Sequence, residues 1–267
     1  MLLRTNPRRI PLGRSISDKR LSGKMWLVYG TSRGIGLASV EACARDAAEL
    51  ILAGRSENLP ESAAKLHSDW ALLGLAESGS NDSVCEQRPA VDVAVNVAGT
   101  NLRQRFEESI LGGAREMFKI NLFGPMQLTQ AIGSHVVAGW ERGKIINIGS
   151  LATLIGILFI SIYRATKQAV GRLTCCMADV WGWHKIQVNC IAPGFIPTDI
   201  NRNVWDDPEL QAWLATTQPN GRLGKPEDMG PLAVYLACIE SNYVTGQFLV
   251  VDGGHDTTSL WPFGRGE

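Results

Sequence analysis

The sequence predicts an α/β fold, a doubly wound parallel sheet with helices on both faces. Three observations predict it. Short apolar runs recur between stretches with helical spacing, as β-α alternation requires. The runs are continuously apolar rather than alternating, as expected for strands covered on both faces. A glycine cluster stands where the first strand gives way to the first helix.

The first strand is KMWLVYG at 24–30, and SRGIGLASVEACARDA continues at helical spacing. A second strand, ELILAGR, runs from 49 to 55, so the chain opens as a βαβ unit. Residues 56–70 read as a helix, LLGLA at 72–76 as a short strand, and VDVAVNVAG at 91–99 as another. Helical spacing covers about 107–139, with polar Asn121 in an apolar neighbourhood. GKIINIGS at 143–150 is a strand, and 162–182 is a long helix. IQVNCIAPG at 186–194 and QFLVVDGG at 247–254 complete seven strands. Right-handed crossovers then favour the doubly wound arrangement. The expected organisation is a flexible arm over 1–20, one domain over 21–256 and a short tail over 257–267.

Composition narrows the function. Of 267 residues, 45% are hydrophobic and 19% charged, which suits a globular chain with one substantial core. The 26 basic and 26 acidic residues cancel, so no bulk positive field recruits nucleic acid. The longest apolar stretch, LATLIGILFISI at 151–162, is far shorter than the roughly 20 residues a bilayer demands, so no membrane partner is expected. The six cysteines lack CxxC spacing and the four histidines are scattered, so the expected metal content is none. That cysteine usage suits a reducing compartment and predicts a cytoplasmic location. The basic bias of the first 20 residues also fits organellar targeting if the source is eukaryotic.

In YGTSRGIG at 29–36, Gly30, Gly34 and Gly36 mark the strand-to-helix turn, where phosphate can approach backbone donors at a positive helix end. The spacing is GxxxGxG, not the common GxGxxG fingerprint. The second strand ends in Gly54, Arg55 and Ser56, without the acid that usually holds a free ribose hydroxyl. Arg55 and Arg33 instead offer guanidinium groups to an added ribose phosphate. This pattern favours NADP(H), with NAD(H) open.

Tyr163 and Lys167, four apart in YRATK, share one helix face. Ionising a free phenol at neutral pH costs about 4 kcal/mol. A neighbouring ammonium is expected to lower that cost. Tyr163 then donates a proton in carbonyl reduction and accepts one in alcohol oxidation. Ser150, at a strand end, can polarise the same substrate oxygen. Asn121 can hold a helix bend and a water leading to Lys167. No GxSxG surrounds Ser150, which argues against hydrolase chemistry.

Taken in order, YGTSRGIG, NVAG at 96–99, KINLFG at 119–124, INIGS at 146–150, YRATK and IAPGFIPTD at 191–199 are an ordered set. With GRLGKPEDMG and YVTGQFLVVDGG, which lie between 221 and 254, the chain resembles the short-chain dehydrogenase/reductase family over about 21–256. The resemblance implies a Rossmann-like domain and a catalytic set of Asn121, Ser150, Tyr163 and Lys167. It also implies cofactor contacts at Gly30, Arg33, Gly34, Ile35, Gly36, Arg55, Asn96, Ala98, Gly99, Tyr163, Lys167, Pro193, Gly194, Ile196 and Thr198. Its members act on a small-molecule carbonyl or alcohol, usually as a homodimer or homotetramer. Within the family, GTNLRQRF at 99–106 and WGWHKIQVNCIAPGF at 181–195 are similar to gluconate 5-dehydrogenases and 2-keto-3-deoxygluconate dehydrogenases. Arg103 and Arg105 are then candidate carboxylate contacts, and Trp205 and Trp213 candidate lid or oligomer residues.

Tyr29 stands where the family usually has Thr, and Val97 where it has a second Asn. Both are expected to weaken hydrogen bonding near the cofactor. The usual acidic adenine contact is missing after LLGLAESGS, with Glu77 and Asp82 as substitutes. A general ketone or 3-oxoacyl-thioester reductase, and a noncatalytic nucleotide-binding regulator, are the alternative readings.

Overall fold

The computed structural model describes residues 19–54, 69–72, 91–137, 143–199 and 201–257. Arg55, Glu77 and Asp82, most of the arm and of the 56–70 helix, and most of the tail lie outside the described residues.

Among the described residues, seven strands form one parallel sheet: β1 (Met25–Tyr29), β2 (Glu49–Gly54), β3 (Asp69–Leu72), β4 (Val93–Asn96), β5 (Gly143–Ile148), β6 (Ile186–Pro193) and β7 (Phe248–Val251), in the order β3-β2-β1-β4-β5-β6-β7. The chain builds outward from β1 to β3 and then crosses back to β4. The crevice between β1 and β4 is therefore the switch point at which such sheets bind ligands.

The period of two along each strand divides the core. Trp26, Val28, Leu50, Leu52, Val93 and Val95 face α1 (Gly34–Arg45) and α7 (Gly230–Ala237). Leu27, Tyr29, Ile51, Ala53 and Ala94 face the opposite layer, with Leu128 and Ile132 of α3 (Gly124–Val137) and Met177 of α4 (Ser161–Trp181). The same parity carries Asn96 into that layer. Its Nδ2 donates to Asn147 Oδ1 at 2.8 Å and Thr129 Oγ1 at 2.9 Å, and Asn147 Nδ2 donates to Thr174 Oγ1 at 3.0 Å. This buried polar ladder ties β4 and β5 to α3 and α4.

Two elements differ from expectation. The third strand lies at Asp69–Leu72 rather than 72–76, and takes the last two residues of the helix expected over 56–70. Pairing with Ile51–Gly54 of β2 decides its register, a tertiary preference that overrides the local apolar run. The helix expected over 107–139 is divided into a 3-10 turn (Phe106–Glu108), α2 (Leu111–Phe118), a π turn (Lys119–Phe123) and α3. Pro125 has no N–H to offer the Asn121 carbonyl four residues back, so the ladder is interrupted there and the turn widens. Among the described residues, no helix is long and apolar enough to cross a membrane, and no three His, Cys, Asp or Glu residues could hold a metal ion.

Candidate active site

At the end of β1 the chain turns on Gly30, whose φ is +93°. A Cβ there would lie 2.5 Å from the Ala98 nitrogen, and one on Gly36 would collide with the Gly30 carbonyl oxygen. Glycine at both positions lets the turn, the β4 end and the start of α1 close on one another. Val97 and Ala98 donate their N–H groups to the Tyr29 carbonyl at 2.9 and 3.1 Å. Gly34 opens α1 at φ +57°, and extended Arg33 precedes it without making a side-chain cap bond. The first N–H groups of α1 are thus left without a capping side chain. Wholly buried Thr31 also has no hydrogen-bond partner for its hydroxyl among the described residues. A phosphate at this helix end fits such a cradle.

The expected cofactor residues divide by role. Ala98, Gly99, Pro193, Gly194 and Thr198 line the ends of β4 and β6, and Thr198 Cγ2 would meet a Cβ on Gly34 at 3.5 Å. The Thr198 N–H and hydroxyl both donate to Asn201 Oδ1, at 2.7 and 3.2 Å. Ile35 is half-buried against the core, and Ile196 is buried in it, so any cofactor contact by Ile196 falls to its backbone. The Asn96 amide nitrogen is engaged by the ladder, while its Oδ1 is buried with no hydrogen-bond partner among the described residues. Tyr29, where the family usually has Thr, is buried and packs in the α3 and α4 layer. Arg33 lies 3.6 Å from Asp199.

The chemical residues converge from four segments. Ser150 follows β5 and caps a 3-10 turn, accepting the Ala152 N–H at 3.1 Å. Tyr163 and Lys167 rise from the first turns of α4, with the Ser150 side chain beside the Tyr163 phenol. Lys167 Nζ donates to the Ile148 carbonyl at 2.7 Å. Asn121, wholly buried in the π turn, brackets Thr100: its Oδ1 accepts the Thr100 N–H at 2.7 Å and its Nδ2 donates to the Thr100 carbonyl at 2.9 Å. The same Nδ2 donates to Thr166 Oγ1 at 3.0 Å. A Cβ on Gly99 would lie 3.4 Å from Lys167 Nζ and 3.5 Å from Asn121 Oδ1, which places Gly99 beside both groups.

Burial controls the charges here. It raises the Tyr163 phenol above its ordinary value, and the neighbouring Ser150 side chain partly opposes this. Burial also lowers Lys167 to about 8, offset in part by the Cys190 thiol. Ser150 supplies the contact that lowers the phenol, and the Lys167 ammonium donates to the Ile148 carbonyl. A neutral phenol at pH 7 is poised to give a proton.

Around this centre, Arg103 and Arg105 place their guanidinium carbons 5.3 and 6.0 Å from the Phe159 ring centroid. The Gln104 N–H donates to the Phe159 carbonyl at 2.8 Å, which fastens the arginine loop to the segment entering α4. Phe159 has φ +67°, a conformation that costs a bulky residue energy and that these contacts hold in place. Opposite, Phe195 follows Gly194 and meets Trp205 at 5.2 Å, Trp213 at 5.6 Å and His255 at 4.8 Å between ring centroids. Trp205 ends α5 (Arg202–Trp205), and Trp213 lies on α6 (Pro208–Thr217). The two tryptophans thus pack on the residue that follows Gly194 at the β6 end.

Sequence reasoning missed Thr100, Thr166, Phe195, His255 and the Arg33–Asp199 pair. Thr166 sits inside YRATK, three residues after Tyr163, and helical spacing could have assigned it to the buried face. The other contacts join segments far apart in the chain and leave no local signal.

Residues 30–256 match the family described as enoyl-(acyl carrier protein) reductase. The chain is 35% identical over 247 residues to gluconate 5-dehydrogenase of Gluconobacter oxydans, covering 88% of this chain and 95% of that one. It is 34% identical over 242 residues to 2-dehydro-3-deoxy-D-gluconate 5-dehydrogenase of Bacillus subtilis, covering 88% and 95%. Among solved structures, gluconate 5-dehydrogenase from Burkholderia cenocepacia in complex with NADP and tartrate superposes with a TM-score of 0.85 at 32% identity, covering 91% of this chain and 99% of that one. The glycine turn, the switch-point crevice, the serine–tyrosine–lysine convergence and these relatives together make this chain a member of the short-chain dehydrogenase/reductase family.

Proposed function

We propose that this protein is an NAD(P)-dependent oxidoreductase that interconverts the ketone and secondary alcohol of a sugar acid, with NADP(H) as the favoured cofactor. The convergence of Ser150, Tyr163 and Lys167, with Tyr163 and Lys167 one turn apart on α4 and Lys167 held by the Ile148 carbonyl, carries the reading. The relatives named above support the sugar-acid substrate, and the NADP of the Burkholderia structure supports the cofactor.

In this reading the glycine turn and the open end of α1 hold the cofactor phosphates, while Lys167 and the ends of β4 and β6 position the nicotinamide. When bound, the nicotinamide supplies the hydride for reduction and takes it back in oxidation. Ser150 orients the carbonyl oxygen, and Tyr163 gives that oxygen its phenolic proton as the C–O double bond becomes a C–O–H single bond. In the reverse direction Tyr163 receives the hydroxyl proton. Asn121 holds the Thr100 backbone beside the reacting groups, and Arg103 and Arg105 attract the substrate carboxylate. The working assembly is a homodimer or homotetramer.

The test is oxidation of NADPH with a panel of keto sugar acids, neutral ketones and 3-oxoacyl thioesters. Fast turnover of a keto sugar acid is expected. Turnover confined to thioesters would overturn the substrate assignment, and NADPH binding without turnover of any compound would overturn the enzyme assignment.

A further inference from the structure

Arg33, the cation proposed for the added ribose phosphate, already faces an acid. Its Nε lies 3.6 Å from Asp199 Oδ2, and both side chains are open to solvent, at 66% and 46% exposure. The two residues come from opposite walls of the crevice, one from the glycine turn and one from the segment after β6. A Cβ on Gly34 would stand 3.5 Å from Thr198 Cγ2, so the two segments pass close to one another. A cleft of about 190 Å³ opens beside them, lined in part by Glu41, Asp199 and Glu227. Arg222, also near Glu227 in sequence, is engaged by Asp228 through two hydrogen bonds of 2.8 and 3.0 Å.

We infer that Asp199 is a specificity-determining residue for the cofactor. It holds Arg33 while no ribose phosphate is present and competes with that phosphate for the guanidinium. A phosphate monoester carries nearly two negative charges near neutral pH, so a carboxylate on the same guanidinium opposes it by direct repulsion as well as by competition. A cofactor with a free ribose hydroxyl has no such charge to repel. Asp199 therefore lowers the preference for the phosphorylated cofactor without affecting the other. The inference rests on the proposed phosphate role of Arg33.

The experiment measures binding rather than turnover. NADPH, NADH, adenosine 2′,5′-bisphosphate and 5′-AMP are titrated by calorimetry into the wild type, Asp199→Asn, Arg33→Ala and the double variant. Asp199→Asn is expected to tighten NADPH and the bisphosphate about fivefold, leave NADH and 5′-AMP unchanged, and lose most of this gain in high salt. In the Arg33→Ala background the Asn substitution is expected to add little. Glu227→Gln is the control, because it removes one charge from the same cleft, and Glu227 makes no ion pair with Arg33 among the described residues.

Weaker NADPH binding by Asp199→Asn, equal changes for all four ligands, or an equal gain from Glu227→Gln would each overturn the role of Asp199. If Arg33→Ala reduces NADPH binding while Asp199→Asn has no effect, Asp199 is excluded and the phosphate site stands. If the wild type binds NADPH no better than NADH and Arg33→Ala alters neither, both readings fall.

Discussion

Lys167 donates to the Ile148 carbonyl at 2.7 Å from a wholly enclosed position, and that burial lowers it from an ordinary 10.5 to about 8. The ammonium is therefore held at a cost below pH 8, where it is charged in both the folded and unfolded chain. Between pH 8 and 10.5 the unfolded chain binds more protons than the folded one, so stability from this group rises with pH. The difference in unfolding free energy between wild type and Lys167→Met should shift by about 2 kcal/mol in favour of wild type from pH 7 to 9.5. Urea titrations at the two pH values measure it. A pH-independent difference would mean that the lysine is not desolvated.

The two-way bracket of Asn121 on Thr100 predicts a coupled loss. Asn121→Ala leaves the Thr100 N–H and carbonyl without their side-chain partner and removes the Asn121 donor to the Thr166 hydroxyl, which still donates to the Tyr163 carbonyl. Destabilisation of about 2 kcal/mol is expected, with a lower kcat. Thermal unfolding and steady-state kinetics together check it. Intact stability and turnover would show that the bracket is dispensable.

The glycine turn predicts unequal tolerance to one methyl group. In Gly36→Ala the Cβ meets the Gly30 carbonyl, backbone against backbone, and should cost about 1–3 kcal/mol and abolish NADPH binding. In Gly34→Ala the new atom finds Thr198 Cγ2 at an ordinary 3.5 Å, so only the left-handed conformation is penalised, by about 1 kcal/mol. Nucleotide titration of both variants decides. Equal behaviour would contradict the packing described for this turn.

Much of this was legible in the sequence, and the misses have physical causes. Continuous apolar runs defined the parallel sheet, because strands covered on both faces need no alternation. The resemblance makes Asn96, the first residue of NVAG, a cofactor contact; its parity with Ala94 also turns its amide nitrogen to Asn147 and Thr129 in the α3 and α4 layer, a pairing that no local spacing announces. Tyr29 follows Leu27 into the same layer for the same reason. The break in the helix around Asn121 was foreseeable from Pro125, four residues on, whereas its partners Thr100 and Thr166 were not. The Arg33–Asp199 pair depends on β1 and β6 ending on the same side of the sheet, a fact of topology that no local spacing records.

Arg103 offers a test of substrate class. It stacks near Phe159, four residues before Tyr163, on a loop fastened to the same segment. Arg103→Ala should reduce kcat/KM for keto acids about tenfold through loss of one charge-assisted contact, and leave neutral ketones unchanged. Parallel kinetics on an acid and its amide separate the two. An equal loss on both would make Arg103 a scaffold residue.

The most direct measurement is Tyr163→Phe, which removes one hydroxyl and keeps the ring. The variant should bind NADPH as tightly as the wild type, by calorimetry, while its rate of keto sugar acid reduction falls by about a thousandfold. Reduction at the wild-type rate by a folded, NADPH-bound Tyr163→Phe variant would contradict the assignment of proton transfer to this phenol.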